Sequence, residues 1–116
     1  MKNRVNPSVE DDRGSLFEFV VGSWRQVNIL TSKAGSTRGQ HYHKDTREKF
    51  VVLSGEILFT LSHVVTKDQS QITLTRYESL IIEPYTWHQL EFLTDSTLLS
   101  FYSCEFEPDK PDIFRL

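Results

Sequence analysis

Gly35-Ser36-Thr37-Arg38-Gly39-Gln40-His41-Tyr42-His43-Lys44-Asp45-Thr46-Arg47-Glu48-Lys49-Phe50-Val51-Val52-Leu53-Ser54-Gly55 is the stretch from which the fold is read. Side chains of a strand alternate between its faces, so His41 and His43 point to one side. Glu48 enters from the start of the following strand, after the intervening turn, and three ligand-type groups converge inside a small barrel. His88, in Glu83-Pro84-Tyr85-Thr86-Trp87-His88, opens a later strand and supplies a fourth. Three imidazoles and one carboxylate suit a divalent first-row metal, zinc first, with iron, nickel or manganese as alternatives.

Outward from this stretch the pattern stays that of strands. Short runs rich in Val, Ile, Thr, Phe, Tyr and Leu, separated by polar, Gly or Pro clusters, predict strands at 16–21, 25–31, 49–53, 56–64, 71–75, 79–83, 87–93 and 97–103. Ile57, Phe59 and Leu61 fall on one face of their strand and are expected in the core. No apolar stripe of helical period runs for several turns. The first dozen residues and 108–112 are polar, and are expected to be irregular or packed at an edge. The reading is an all-β sandwich or barrel, a single domain over 1–116.

Composition narrows the classes of function. The 116 residues include 13 basic and 16 acidic side chains, a net charge of −3, and the basic ones are scattered, which argues against a nucleic-acid partner. No run approaches the roughly 18 apolar residues of a membrane-spanning helix, and no apolar segment follows the basic residues near the N-terminus. One cysteine, Cys104, allows neither an internal disulfide nor a multi-cysteine metal site. A soluble cytoplasmic protein is expected.

The spacing Gly-x5-His-x-His-x4-Glu-x6-Gly, complete from Gly35 to Gly55, resembles the first signature motif of the cupin superfamily. Of the second motif, Gly-x5-Pro-x-Gly-x2-His-x3-Asn, only His88 is kept; Tyr77, Glu83, Tyr85 and Phe92 stand at the other positions. A narrower resemblance spans nearly the whole chain. Asp12-Arg13-Gly14, Arg38-Gly39-Gln40-His41-Tyr42-His43, Glu48-Lys49-Phe50 and Pro111-Asp112 look like the C-terminal cupin domain of bifunctional capsular-polysaccharide enzymes that epimerise and then reduce a keto-sugar nucleotide. These 116 residues hold no counterpart of the reductase part. Arg38-Gly39, His41-x-His43-Lys44 and Trp87-His88 are similar to the dTDP-sugar 3,4-ketoisomerases, and Arg13-Gly14 with Arg38-Gly39-Gln40-His41-Tyr42, more distantly, to the dTDP-sugar 3,5-epimerases.

The resemblance implies a cupin jelly-roll barrel, a sugar-nucleotide ligand, a homodimer and proton movement beside the carbonyl of a 4-keto-6-deoxy sugar. A histidine can remove such a proton near neutral pH if a hydrogen-bond donor or metal stabilises the enolate. In the epimerases and ketoisomerases the position matched by His41 is the base; in metal-binding cupins it is a ligand. With a metal on His41, His43, Glu48 and His88, the base falls to another group such as Tyr42 or Tyr102; without one, to His41 or His43. Arg13 and Arg38 are expected to hold the diphosphate through bidentate guanidinium contacts. Tyr42, between the two histidines, is expected to face away from them. Tyr102, Trp24 and Trp87 read as core or interface aromatics, Cys104 as a small buried residue, and His63 has no assigned role. A non-catalytic metal-binding module that binds a sugar or assists a separate reductase is the alternative.

Overall fold

The computed structural model describes residues 2–116, in which every regular element is a strand. No helix long and apolar enough to cross a membrane occurs among the described residues. One antiparallel sheet runs in the order β1 (Asn3–Arg4), β9 (Glu78–Ile82), β6 (Glu48–Ser54), β11 (Ser96–Tyr102), β4 (Gln26–Ser32). The second runs β5 (Thr37–His41), β10 (Thr86–Phe92), β7 (Ile57–His63), β8 (Gln69–Leu74). β2 (Val9–Asp11) and β3 (Gly14–Leu16) form a separate, wholly exposed hairpin.

Alternation fixes what lies between the sheets. On β6 the inward positions are Glu48, Phe50 and Val52, and on β10 His88, Leu90 and Phe92, all buried. Each strand thus carries one polar residue at one end of its inner face and apolar residues along the rest. Ile57, Phe59, Leu74, Leu80, Ile82 and Leu98 complete the apolar part, with Leu61 packed against it. Burying an aliphatic or phenyl side chain of this kind contributes roughly 1.5–3 kcal/mol. Core and site are two ends of one interior.

Most expected strands appear within one or two residues of their predicted limits. The run at 16–21 does not. Its first residue closes the β2–β3 hairpin, and Phe17 and Phe19 beyond it pack at a tilt on the Tyr77 ring, with centroids 4.3 and 5.9 Å away, instead of joining a ladder. The chain there lies across the outside of the large sheet, where Lys49 Nζ donates to the Phe19 carbonyl. Near the start of the chain, Asn3 and Arg4 pair with Ser79 and Glu78 at a sheet edge, while 108–112 is irregular, as expected.

The sequence gives β5 no strand-rich composition; its pairing with β10 is tertiary. His41 stands opposite His88, Gly39 opposite Gln89, and the extra residue, Gln40, makes a bulge in the left-handed conformation at φ 61°. Gly39, at φ 90°, passes so close to β10 that a Cβ there would lie 2.7 Å from the His88 carbonyl oxygen. Only glycine fits. Tyr77 and Tyr85, which occupy the two glycine positions of the second cupin motif, are themselves left-handed, at φ 65° and 63°. Both positions thus take a backbone conformation that favours glycine while carrying a tyrosine.

Candidate functional site

His41 ends β5, His88 lies on β10 and Glu48 opens β6, while His43 sits just past β5 in the turn toward β6. The bulge at Gln40 and the return of the chain bring the rings of His41, His43 and His88 within 4.8–5.2 Å of one another, centroid to centroid. Tyr42 faces away, as alternation requires, and pairs through its backbone with Phe114. The structure therefore gathers His41, His43, His88 and Glu48 at one point.

Their hydrogen bonds assign protons. A carbonyl oxygen can only accept, so His43 Nδ1–H donates to Asp112 O at 2.7 Å and His88 Nδ1–H to Thr86 O at 3.0 Å. Both rings thus turn Nε2 toward Glu48 Oε1, at 3.0 Å from His43 and 3.6 Å from His88. The second Glu48 oxygen accepts from Ser100 Oγ at 2.6 Å. Burial opposes charge on Glu48, but the hydrogen bonds from His43 and Ser100, together with the nearby His88 ring, overcome it and hold the carboxyl down at about 2. Burial likewise opposes charge on His43, and its bonds to Glu48 and Asp112 O outweigh burial and raise its pKa.

His41 differs. Among the described residues no hydrogen bond acts on its ring, and burial, then the neighbouring charges of His88 and His43, push its pKa down to about 4. It is a neutral imidazole at neutral pH. Tyr102, half-buried beside it, is raised by burial and by the Glu48 charge.

A cavity of about 320 Å³ opens on this cluster, lined by His41, His43, Thr46, Tyr102 and a C-terminal stretch that includes Cys104, Lys110 and Asp112. Cys104, expected to be buried, is exposed, because the chain has already left the sheet at Tyr102. A larger open concavity, about 780 Å³, lies at the opposite ends of the strands among Lys33, Ser36, Arg38, Ser54 and Thr97. It holds no cluster of proton-transfer groups, so the smaller cavity is the candidate site.

Arg13 and Arg38 are not beside the histidines in the single chain. Arg13 pairs with Asp11 in the exposed hairpin, at 2.6 Å, and Arg38 reaches from β5 to β4, where Nε donates to Ser32 Oγ at 2.6 Å. Trp24 packs on Phe101 outside the large sheet, and His63 Nδ1 accepts from Val65 N and Thr66 N in a turn. The sequence reading missed Gln26, Asn28 and Ser100. Gln26 lies opposite Tyr102 and Asn28 opposite Ser100, and Gln26 Nε2 donates to Asn28 Oδ1 at 3.1 Å. Their signal is the run Gln26-Val27-Asn28-Ile29, where polar residues turn inward and Val27 and Ile29 are left exposed. Asp112 was missed as a site residue too; an aspartate after proline is a ready acceptor for turn N–H groups.

Two antiparallel sheets closed around a three-histidine, one-carboxylate pocket define a cupin jelly roll. A family model described as "Polysaccharide biosynthesis C-terminal domain" matches residues 9–114. The chain belongs to that family. It is 32% identical to the capsular polysaccharide assembling protein CapF from Staphylococcus aureus, with a TM-score of 0.74, over 98% of this chain and 33% of that one. It is 28% identical over 113 residues to the UDP-2-acetamido-2,6-beta-L-arabino-hexul-4-ose reductase of Pseudomonas aeruginosa, covering 93% of this chain and 30% of the reductase. The dTDP-4-dehydrorhamnose 3,5-epimerase from Sulfolobus tokodaii is 25% identical, with a TM-score of 0.75, over 90% of this chain and 69% of the epimerase. The chain spans about a third of the length of CapF and of the reductase.

Proposed function

We propose that this domain is an isomerase or epimerase that moves a proton next to the carbonyl of a 4-keto-6-deoxy sugar nucleotide in surface-polysaccharide biosynthesis. The observation that carries the reading is His41, a neutral imidazole free of hydrogen bonds, facing a cavity of about 320 Å³. Such a ring can accept a proton α to a ketone. His43, held at Nδ1 by Asp112 O and at Nε2 by Glu48, keeps its ring fixed 5.1 Å from that of His41. Tyr102 lies on the cavity wall as a second proton-transfer group. Likeness to a 3,5-epimerase supports this chemistry. Arg13 and Arg38, both away from the histidines of their own chain, remain the proposed diphosphate holders, brought to a neighbouring site in a homodimer. The exposed faces of Val27 and Ile29 on β4 and of Val9 and Leu16 on the hairpin support such a dimer. The unpaired Cys104 fits a reducing cytoplasm.

The donor set also fits a divalent ion, zinc first. Ligating atoms of His41, His43 and His88 lie within 4.8 Å of one another, and Glu48 reaches two of the three rings. With their Nδ1–H groups on backbone carbonyls, His43 and His88 are oriented as metal-binding histidines are. A metal held there would supply Lewis-acid polarisation of a keto oxygen. His41 would then be a ligand, leaving Tyr102 as the proton-transfer group. The same orientation favours the second reading, a metal-bearing module that binds a sugar or assists a separate reductase without turnover.

Incubation with a 4-keto-6-deoxy sugar nucleotide in heavy water separates the two. Deuterium entering ring positions beside the carbonyl, followed by NMR, is expected; no exchange above the protein-free control rejects the enzyme. Repeating it after chelation, with metal content measured by plasma mass spectrometry, assigns His41 as base if exchange persists without metal and as ligand if exchange vanishes.

A further inference from the structure

The irregular segment that follows β11 walls the cavity, and one residue of it carries an unusual share of hydrogen bonds. Asp112 Oδ1 accepts from Lys44 N at 2.9 Å; Oδ2 accepts from Asp45 N at 2.9 Å, Thr46 N at 2.8 Å and Thr46 Oγ1 at 2.9 Å. Three consecutive backbone N–H groups of the turn between β5 and β6 thus converge on one carboxylate. The carbonyl of the same residue accepts from His43 Nδ1. The turn held by the side chain begins at Lys44, the residue after the histidine held by the main chain.

We propose that Asp112 is a positioning residue of the histidine site: its carboxylate clamps the 44–46 turn and so keeps its own carbonyl where it fixes the tautomer and ring angle of His43. The inference rests on the keto-sugar reading of the site for its effect on rate, and on the geometry alone for its effect on His43. Removal of the carboxylate orphans the three N–H groups, and the segment loses its tie to the turn. The carbonyl remains in the chain but no longer has a fixed place. His43 is then free to rotate or to exchange its Nδ1 proton, and Nε2 loses its aim at Glu48. An asparagine keeps the shape, yet its NH2 turns a donor toward donors and preserves only part of the clamp. Thr86 O holds the Nδ1 proton of His88 independently of Asp112, so His88 is an internal reference.

The test is long-range proton–nitrogen NMR on uniformly 15N-labelled full chain, with Asp112→Ala and Asp112→Asn beside the unsubstituted protein, and the deuterium-exchange assay on all three. The unsubstituted protein is expected to show protonated Nδ1 on both His43 and His88. Both variants are expected to lose the His43 Nδ1–H signal while keeping that of His88. Their exchange kcat is expected to fall roughly ten- to a hundredfold, the range for losing a group that orients a site histidine, with KM changed less than about twofold. An unaltered His43 signal in a folded Asp112→Ala protein overturns the proposal, as does an altered signal with unaltered kcat. Loss of both histidine signals together in both variants marks a purely structural role and overturns it too. Absence of exchange in the unsubstituted protein rejects the keto-sugar reading instead, and the His43 signal still decides whether Asp112 holds the ring.

Discussion

His41 and His43 sit two residues apart and meet opposite fates, because partners rather than position set their charge. His43 is gripped at both nitrogens, whereas the His41 ring has no hydrogen bond among the described residues. His41→Asn is expected to cut deuterium exchange at least about a hundredfold, the lower end for removing a general base, while the melting midpoint stays within a few degrees. These ionisations also shape stability. The folded His41 ring resists protonation down to about 4, whereas the unfolded one takes a proton near its ordinary 6.5, so stability falls as pH drops through that interval. Glu48 stays ionised to about 2 when folded but protonates near 4.5 when unfolded, so a second loss follows between those values. His43 acts in the other direction: the stability from its raised pKa is complete below 6.5 and is lost as pH rises through the folded value. Calorimetric melting from pH 7 downward is expected to show the first decline beginning near 6.5, and Glu48→Gln to flatten the part below 4.5.

Left-handed tyrosines permit another residue-scale test. Tyr85 N donates to His43 O at 2.7 Å, so its strained backbone is part of the site's frame. Tyr85→Gly is expected to leave stability within about 1 kcal/mol, because relief of strain offsets a half-exposed ring, while Tyr85→Val, β-branched at positive φ, is expected to cost about 1–3 kcal/mol. Comparing the two midpoints in urea checks this.

At the scale of the element, β6 and β10 run from a site residue straight into the core, Glu48 to Val52 and His88 to Phe92. Their β-branched and aromatic composition made both legible in the sequence. β5 was not, because Thr37-Arg38-Gly39-Gln40-His41 has one β-branched residue and owes its strand form to β10. Nor could composition tell that Phe17 and Phe19 would lie on Tyr77 rather than in a ladder; both arrangements bury aromatic surface. Gly39→Ala tests the dependence of β5 on close approach. The added methyl meets the His88 carbonyl, and the variant is expected to lose more than about 1 kcal/mol of stability along with exchange activity. Phe59→Ala, fully buried between the sheets, is expected to cost about 3–5 kcal/mol in denaturant melts.

Across the whole molecule, the four converging side chains were legible because strand alternation and motif spacing are local. Asp112 and the Gln26–Asn28 pair were not, since their places depend on where a long irregular segment and an edge strand finally lie. The same edge strand gives the molecular-scale prediction. Val27 and Ile29 are 59% and 67% exposed on the outer face of β4. Light scattering after size exclusion is expected to show a dimer, and Val27→Lys with Ile29→Lys a monomer; a monomer without substitution rejects the pairing.

Tyr77 and Tyr85 bear on how such domains are detected. A search pattern that demands glycine at those two positions passes over this chain, and over any relative that has made the same exchange. This chain takes a left-handed backbone at both points without a glycine, so a profile written in backbone conformation would retain it where one written in letters does not.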